Sequence, residues 1–486
     1  MSNENLILIA LLLPLAGALG IALAGKLSNL REGITLATAV ALFACVAQLL
    51  GPVLAGERPS IALLEPLPGL PIAFQVEPLG MLFALIASGL WIVNSVYSIG
   101  YMRGNKEKNQ TRFYICFALS IAAALAIAFS ANLLTLFLFY EVLTLITYPL
   151  VTHAGTEKAK QGGRTYLAIL MGTSVLFLLP AVIYTWHVAG TTDFRVGGIL
   201  PAGMEAGAAM VLLALFMFGI GKAALMPFHR WLPAAMVAPT PVSALLHAVA
   251  VVKAGVFSVV KIVVYIFGLD QLAGATGWLI GIAGFTIVAA SVVALHADNL
   301  KRRLAYSTVS QLSYVILAAA ILAPLSVAGA ALHIAAHAFG KITLFFAAGA
   351  IYTAAHKTEV SQLDGIGRRM PWTMVAFGIG ALSMIGLPPA AGFVSKWYIV
   401  SGAIAQAQWF ALAVILLSTL LNAGYFLPIL HRAFLRPLTA EDAAHPHGEA
   451  PLPMVVALSV TAAGTLALFF FPDVPMALAR SLVAAP

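Results

Sequence analysis

The sequence predicts an all-α polytopic membrane protein. Of its 486 residues, 61% are hydrophobic and only 9% are charged, whereas soluble globular proteins carry about 25% charged residues. So few charges cannot cover a water-facing surface, which excludes a soluble enzyme. Long apolar runs recur along the chain, and in lipid such runs form helices because their backbone groups must be satisfied within the segment.

We predict about fourteen transmembrane helices from these runs. Their bounds are 5–25, 34–55, 79–101, 113–130, 132–152, 165–187, 207–228, 240–266, 276–296, 304–322, 327–352, 372–400, 408–431 and 454–471. With the N-terminus outside, eighteen basic residues fall in inner loops and three in outer segments. Because Lys and Arg concentrate on the cytoplasmic side, this asymmetry predicts a multi-pass protein of the inner (plasma) membrane with both termini on the outer side.

Two of these helices are interrupted in the middle. Helix 7 contains GIGKAALMPFHRWLP, with Pro227 five residues after Lys222, and helix 12 contains MIGLPPAAGFVSKW, with Pro388 shortly before Lys396. Broken helices at matching places in two halves are typical of transporters with inverted repeats. We therefore predict two inverted five-helix repeats. The predicted domains are residues 1–110 (helices 1–3), 111–270 (helices 4–8), 271–435 (helices 9–13) and 436–486 (helix 14).

Six charged residues lie inside predicted spans, where each costs about 2.5–3.5 kcal/mol at mid-bilayer. They are Glu141, Lys222, Lys253, Lys261, Lys341 and Lys396. Such groups should face the protein interior and have partners there. For Lys261, close to a helix end, extension of the side chain to the membrane surface is an equally good alternative.

Glu141 is the single acid deep inside a predicted span. We predict that it pairs with Lys222 in the same repeat, because a buried carboxylate needs a cation to stay ionised. Pulling such a pair apart favours release of the lysine proton, which makes the pair a candidate switch. A static ion pair that locks two helices is the alternative.

Histidines and lysines form rows on two other helices. His333, His337 and Lys341 recur at i, i+4 and i+8 on helix 11 and so share one face, while helix 8 carries Lys253. Titratable groups in a row can relay a proton through water. Zinc or haem ligation is the weaker alternative, because no third ligand or cofactor motif accompanies the histidines. Candidate supporting residues are His229, His247, Ser310, Gln311, Pro227 and Pro388.

Other chemistry has no support in the sequence. It contains no phosphate-binding loop, CxxC cluster or nucleophile elbow. We therefore predict no cofactor, no resident metal and no redox or hydrolytic site. The basic residues are scattered through loops rather than massed in a patch, which argues against a nucleic-acid partner.

Four segments resemble characteristic blocks of the antiporter-like membrane proteins. They are GKAALMPFHRWLPAAMVAPTPVSALLHAVAVVKAGVF, AYSTVSQLSYVIL, HIAAHAFGKITLFFAAGAI and MIGLPPAAGFVSKW. This family comprises the large proton-translocating subunits of respiratory complex I, the Mrp sodium/proton antiporters and related membrane-bound hydrogenases. The resemblance implies a hydrophilic row across the membrane: the modulating pair Glu141 and Lys222, the input Lys253, the connecting His333, His337 and Lys341, and the output Lys396.

The predicted function is proton translocation within a multisubunit sodium/proton antiporter of Mrp type. The alternatives are a proton-pumping subunit of a complex I-like NADH:quinone oxidoreductase or membrane-bound hydrogenase, and an ion-coupled partner of an inorganic-carbon uptake complex. The expected partners are other membrane subunits, the lipid bilayer and protons, with sodium as a second candidate ion. Because Lys341 and Lys396 lack an acid in their own repeat, we expect a neighbouring subunit to supply one.

Overall fold

Helices make up most of the chain in the computed structural model, which describes residues 2–438 and 447–482. The first half contains α1 (Asn3–Leu23), α2 (Ser28–Gln48), α3 (Leu50–Leu54), α4 (Pro78–Gly104), α5 (Gln110–Ala128), α6 (Leu133–Val151), α7 (Glu157–Thr173), α8 (Leu179–Ala189), α9 (Ala206–Gly219), α10 (Trp231–Ala234), α11 (Thr240–Ala244) and α12 (Val251–Ile262). The second half contains α13 (Gly277–His296), α14 (Leu300–Ala320), α15 (Pro324–Ala355), α16 (Pro371–Ile385), α17 (Ala391–Ala405), α18 (Trp409–Leu435), α19 (Leu452–Phe470) and α20 (Asp473–Ser481).

The predicted polytopic fold is confirmed. Within the described residues, eleven helical segments are long and apolar enough to cross a membrane. The other three predicted spans correspond to α9, to α14 and to the pair α16–α17. Helix α14 is less apolar because basic residues occupy its first turn, and the other two are short because the chain breaks there.

Both predicted breaks are present. Helix α9 ends at Gly219, and a 3₁₀ turn over Gly221–Ala223 follows, which contains Lys222. Helix α16 ends at Ile385, and α17 begins only at Ala391. Each break leaves backbone carbonyls without helical partners, and these are free to accept hydrogen bonds from side chains.

A β-hairpin between α3 and α4 is a feature that the sequence did not predict. Strand β1 (Ser60–Leu67) pairs antiparallel with β2 (Leu70–Gln75). The Gln75 amide donates to the Phe129 carbonyl (2.6 Å), so the hairpin is bonded to the connection between α5 and α6. Its apolar residues lie in a short loop between two spans, where alternation over so few positions is a weak signal.

The helix ends define two faces of the protein. The hairpin face carries β1–β2 and the connections 190–205 and 268–276, and the basic face carries the connections 105–109, 152–156, 297–299 and 356–370. Asn3 contacts Glu57 on the hairpin face (3.0 Å), so α1 begins at that face. The charge asymmetry predicts that the hairpin face is the outer one.

The buried centre of the protein is the segment Thr240–Phe267, which includes α11 and α12. Every residue of it is buried, and α15 is nearly as enclosed, whereas fewer than half of the residues of α1 and α19 are buried. A Cβ atom added at Gly255 would clash with the backbone of Lys222. Because Gly255 has no side chain, the turn after α9 can approach α12 closely. The candidate lysines therefore lie around the most enclosed part of the fold.

The predicted division into domains at residues 110, 270 and 435 stays a prediction. Part of the last domain, residues 439–446 and 483–486, lies outside the described residues.

Candidate functional site

Lys222 lies in the turn after α9, with its ammonium against α6. Its Nζ donates to the Tyr140 carbonyl (2.7 Å) and to the Thr144 hydroxyl. It also lies 3.2 Å from the centroid of the Tyr140 ring. The side chain is fully buried, so dipoles and an aromatic face take the place of water around the charge.

The structure does not bring Glu141 into direct contact with Lys222. Among the described residues no ion pair within 4 Å joins them, and the Glu141 carboxylate lies beside the Ser174 hydroxyl instead. Successive residues of a helix point about 100° apart. Lys222 approaches the side of α6 that bears Tyr140 and Thr144, whereas Glu141 shares its side with the exposed Leu145.

Lys253 and the two histidines of α15 form a contiguous group. Lys253 Nζ lies 2.6 Å from His337 Nδ1, and the His337 and His333 rings are 6.2 Å apart. His333 Nδ1 then contacts the Ser395 hydroxyl (2.9 Å), and its Nε2 contacts Gln311 Oε1 (3.0 Å). The structure thus joins predicted helices 8, 10, 11 and 12 through polar contacts in the buried interior.

Lys341 starts a second set of contacts. Its Nζ donates to the Ser307 hydroxyl (2.7 Å), which also bonds the Tyr425 hydroxyl (2.9 Å). Tyr425 in turn donates to Asn422, whose amide donates to the Met384 carbonyl (3.2 Å). This set runs from α15 through α14 and α18 to the end of α16.

Lys396 lies where the two sets meet. Its Nζ donates to the Met384 and Ile385 carbonyls (3.0 and 2.9 Å), which the end of α16 leaves free. Gln311, from the histidine set, also donates to the Met384 carbonyl (3.2 Å). One backbone oxygen at the helix break therefore links Lys396 to both sets of contacts. We call the first set the histidine branch and the second set, which starts at Lys341, the Tyr425 branch.

The supporting residues have different surroundings. His247 is fully buried with neither ring nitrogen bonded, and its ring lies 4.7 Å from that of Phe345. His229 lies beside Tyr306 (6.3 Å between rings), and Ser310 contacts Ser291 (3.0 Å). Pro227 and Pro388 fall within the two breaks.

The fifth lysine, Lys261, does not extend to the membrane surface. It is fully buried, and its Nζ lies 3.3 Å from Glu77 Oε1. The alternative of a side chain that reaches the surface is therefore wrong. Glu77 precedes α4 and lies far from Lys261 in sequence, so no local pattern indicates the pair.

Several neutral partners of the lysines were not predicted from the sequence. They are Tyr140, Thr144, Ser395, Asn422 and Tyr425. Among them only Tyr140 and Thr144 had a signal, namely their i, i+4 spacing beside the deep acid. Polar and hydroxyl side chains in an apolar helix are common enough that the remaining three could not be singled out.

Residues 130–422 match the family described as NADH:quinone oxidoreductase/Mrp antiporter, transmembrane region. This chain belongs to that family. It is 32% identical to NADH-quinone oxidoreductase subunit N of Desulforudis audaxviator, over 97% of each chain. It is also 31% identical to a probable K⁺/H⁺ antiporter component of Rhizobium meliloti, over 68% of this chain and 32% of that protein.

Two solved structures have the same fold as this chain. A chain of the Mrp complex from Dietzia sp. superposes with a TM-score of 0.87 at 22% identity, over 100% of this chain and 97% of that chain. A chain of the membrane-bound sulfane sulfur reductase, an archaeal respiratory complex, gives 0.86 at 22% identity, over 99% and 98%. Both of those chains come from membrane complexes.

Proposed function

We propose that this chain translocates protons as one subunit of a multisubunit ion-translocating complex. The observation that carries the proposal is the set of contacts around four buried lysines, Lys222, Lys253, Lys341 and Lys396. Each is bonded to neutral oxygen or nitrogen atoms, and none has a carboxylate within 4 Å in the described structure. A neutral partner can form a hydrogen bond with both the ammonium and the amine form of lysine. Each lysine can therefore lose and regain a proton without leaving an unpaired carboxylate buried beside it.

An open cavity on the basic face supplies a place for proton uptake. Its volume is about 760 Å³, and its lining includes Glu107, Lys301 and Thr240. Burial raises the pKa of the Glu107 carboxyl above its ordinary value, with Lys301 opposing the shift. Thr240 begins α11 two turns before the unbonded His247, so in this proposal protons pass from the cavity along α11 to Lys341 and Lys253.

We expect that replacing both His333 and His337 with Gln slows proton transport without collapsing the fold. Gln retains hydrogen bonding but cannot titrate, and the Tyr425 branch still links Lys341 to the helix break. The expected loss is about tenfold, less than the about 10²–10⁴-fold that a proton-transfer group typically contributes, because the Tyr425 branch provides a bypass. Dye-reported acidification of vesicles that contain the assembled complex measures it, and an unchanged rate would exclude the histidines from the route.

Lys396 is the proposed output to the hairpin face. Lys396→Ala is expected to stop proton release, whereas Lys396→Glu should retain partial transport because a carboxyl group also titrates. The accessible side can be checked with a cysteine variant at this position and a membrane-impermeant alkylating reagent. Labelling from the hairpin face alone agrees with an output there, and labelling from the basic face alone would reverse the assignment.

Two assemblies remain candidates for the chain. An Mrp-type cation/proton antiporter of the plasma membrane is supported by the full-length fold similarity and by the antiporter relative. A complex I-like oxidoreductase is supported by the relative that matches 97% of both chains at 32% identity. Affinity purification of the tagged chain distinguishes them: iron–sulfur absorption and NADH oxidation would identify the oxidoreductase, and cation-dependent proton efflux without redox centres would identify the antiporter.

The proton route itself is tested by the same vesicles. Proton transport that requires the buried lysines supports the proposal in either assembly. Transport that persists at the normal rate in assembled complexes lacking Lys396 and Lys222 would overturn it.

A further inference from the structure

Glu77 and Lys261 form an ion pair that the proposed route does not use. The pair lies at the hairpin-face end of the central segment, where α12 approaches its last residue, Ile262. The side chain of Lys261 is 0% exposed and that of Glu77 is 6% exposed. Lys261 is thus the one buried lysine of this region that has an acid as its partner in the described structure.

Several donors satisfy the Glu77 carboxylate. It accepts hydrogen bonds from the Leu79 and Gly80 amides (both 3.0 Å) as the cap of α4, and from the Tyr265 hydroxyl (2.6 Å). Together with Lys261 these donors give four partners to two oxygens. Each oxygen of the carboxylate therefore has two partners.

Lys261 is also enclosed by non-titrating groups. Its Nζ donates to the Ser130 carbonyl (2.8 Å), and it lies 4.4 Å from the centroid of the Phe194 ring and 5.2 Å from that of Phe257. Aromatic faces stabilise a cation without offering a proton acceptor. This surrounding contrasts with the hydroxyl and imidazole partners of Lys253 and Lys341.

The connections around the pair are bonded to one another across the hairpin face. The Phe194 amide donates to the Ala131 carbonyl (3.0 Å), and the Ile199 amide donates to the Ile266 carbonyl (2.9 Å). Ser130 forms a bridge with Phe74 of β2. The hairpin and the connection 190–205 therefore cover the end of α12.

We propose that the Glu77–Lys261 pair is a seal that closes the hairpin-face end of α12 to protons. Lys261 follows Lys253 by eight positions, about 12 Å along the helix. Ser258 between them donates to the Ala254 carbonyl of its own helix (2.7 Å) and offers no link. The inference rests on the proposed function, since a seal is needed where a proton route runs nearby, and it leaves Lys396 as the opening to that face.

Neutralising the pair one residue at a time, and then both together, tests the seal against a relay role. The variants are Glu77→Gln, Lys261→Met and the double variant, each in vesicles that contain the complete assembled complex. A single variant leaves an unpaired buried charge that draws in water, whereas the double variant leaves none. We expect passive proton leak after an acid jump to rise about tenfold in each single variant, as for a barrier lower by about 1.4 kcal/mol, and to return near the wild-type value in the double variant.

Driven proton transport in the double variant decides between the two roles. The seal predicts near-normal transport there, and loss of transport in assembled double-variant complexes would make Lys261 a relay residue and overturn the proposal. Single variants that assemble without added leak would overturn it too. Tyr265→Phe removes one hydrogen bond and no charge, so the proposal predicts a smaller rise in proton leak than in Glu77→Gln or Lys261→Met. This variant provides the test if neither of those two assembles.

Failure of the seal and failure of the proposed function give different results. If the chain does not carry protons, Lys396→Ala leaves driven transport unchanged whatever the leak measurement shows. If only the seal is wrong, Lys396→Ala still abolishes transport. The proton leak then does not rise in the single variants of Glu77 and Lys261 and return to the wild-type value in the double variant.

Discussion

Lys222→Ala is expected to abolish proton transport while the complex still assembles. The change removes a titratable group from the centre of the first predicted repeat, and the expected loss is about 10²-fold or more, the scale on which a positioned proton-transfer group contributes. The fold should tolerate it, because the Tyr140 carbonyl still accepts a hydrogen bond from Thr144 (3.2 Å). The measurement is the initial rate of vesicle acidification, normalised to the amount of assembled complex.

A matched control is available on the basic face. Lys160 forms an exposed pair with Glu157 (2.7 Å), and exposed pairs of this kind contribute little. Lys160→Ala should therefore transport normally. An equal loss in both variants would mean that removal of any positive charge impairs the complex, and would remove the special role of Lys222.

Glu141→Gln is expected to reduce transport nearly as much as Lys222→Ala. The amide has almost the shape of the carboxylate and can still accept a hydrogen bond from Ser174, but it carries no charge. The charge still acts on Lys222 without contact, because Coulomb interactions in a poorly screened interior extend beyond hydrogen-bond distance. Glu141→Asp should be milder, since it retains the charge.

The exposed Glu205 before α9 supplies the control for this change. Glu205→Gln should leave the rate unchanged, and both variants should assemble to the wild-type amount. A near-normal rate in assembled Glu141→Gln complexes would show that the acid does not act on Lys222.

The membrane fold could be predicted from the sequence because a segment that crosses lipid must be apolar and must satisfy its own backbone hydrogen bonds. Long apolar runs define the spans, and the bias in basic loop residues defines their alternation. The breaks at Lys222 and before Lys396 were also predictable, since proline and glycine have local backbone effects. The β-hairpin was not, because β1–β2 depends on hydrogen bonds to the connection after α5, which no local pattern encodes.

The candidate site was predictable only in its charged members. A lysine in an apolar run is costly and therefore visible, whereas its neutral partners, such as Asn422 and the carbonyl of Met384, carry no such signal. The pairing of Glu141 with Lys222 was predicted from charge alone, and charge does not specify which side of α6 faces the break. Lys261 was ambiguous for the same reason, because its partner Glu77 precedes a different span.

The central claim is that the buried lysines release and regain protons rather than serve as fixed charges. Lys222→Arg tests it most directly, because arginine retains the positive charge and the hydrogen-bond donors but does not deprotonate in proteins. The measurement is the rate of proton transport by vesicles that contain the assembled Lys222→Arg complex. The account predicts a rate as low as that of Lys222→Ala, and a rate equal to that of the wild type would contradict it.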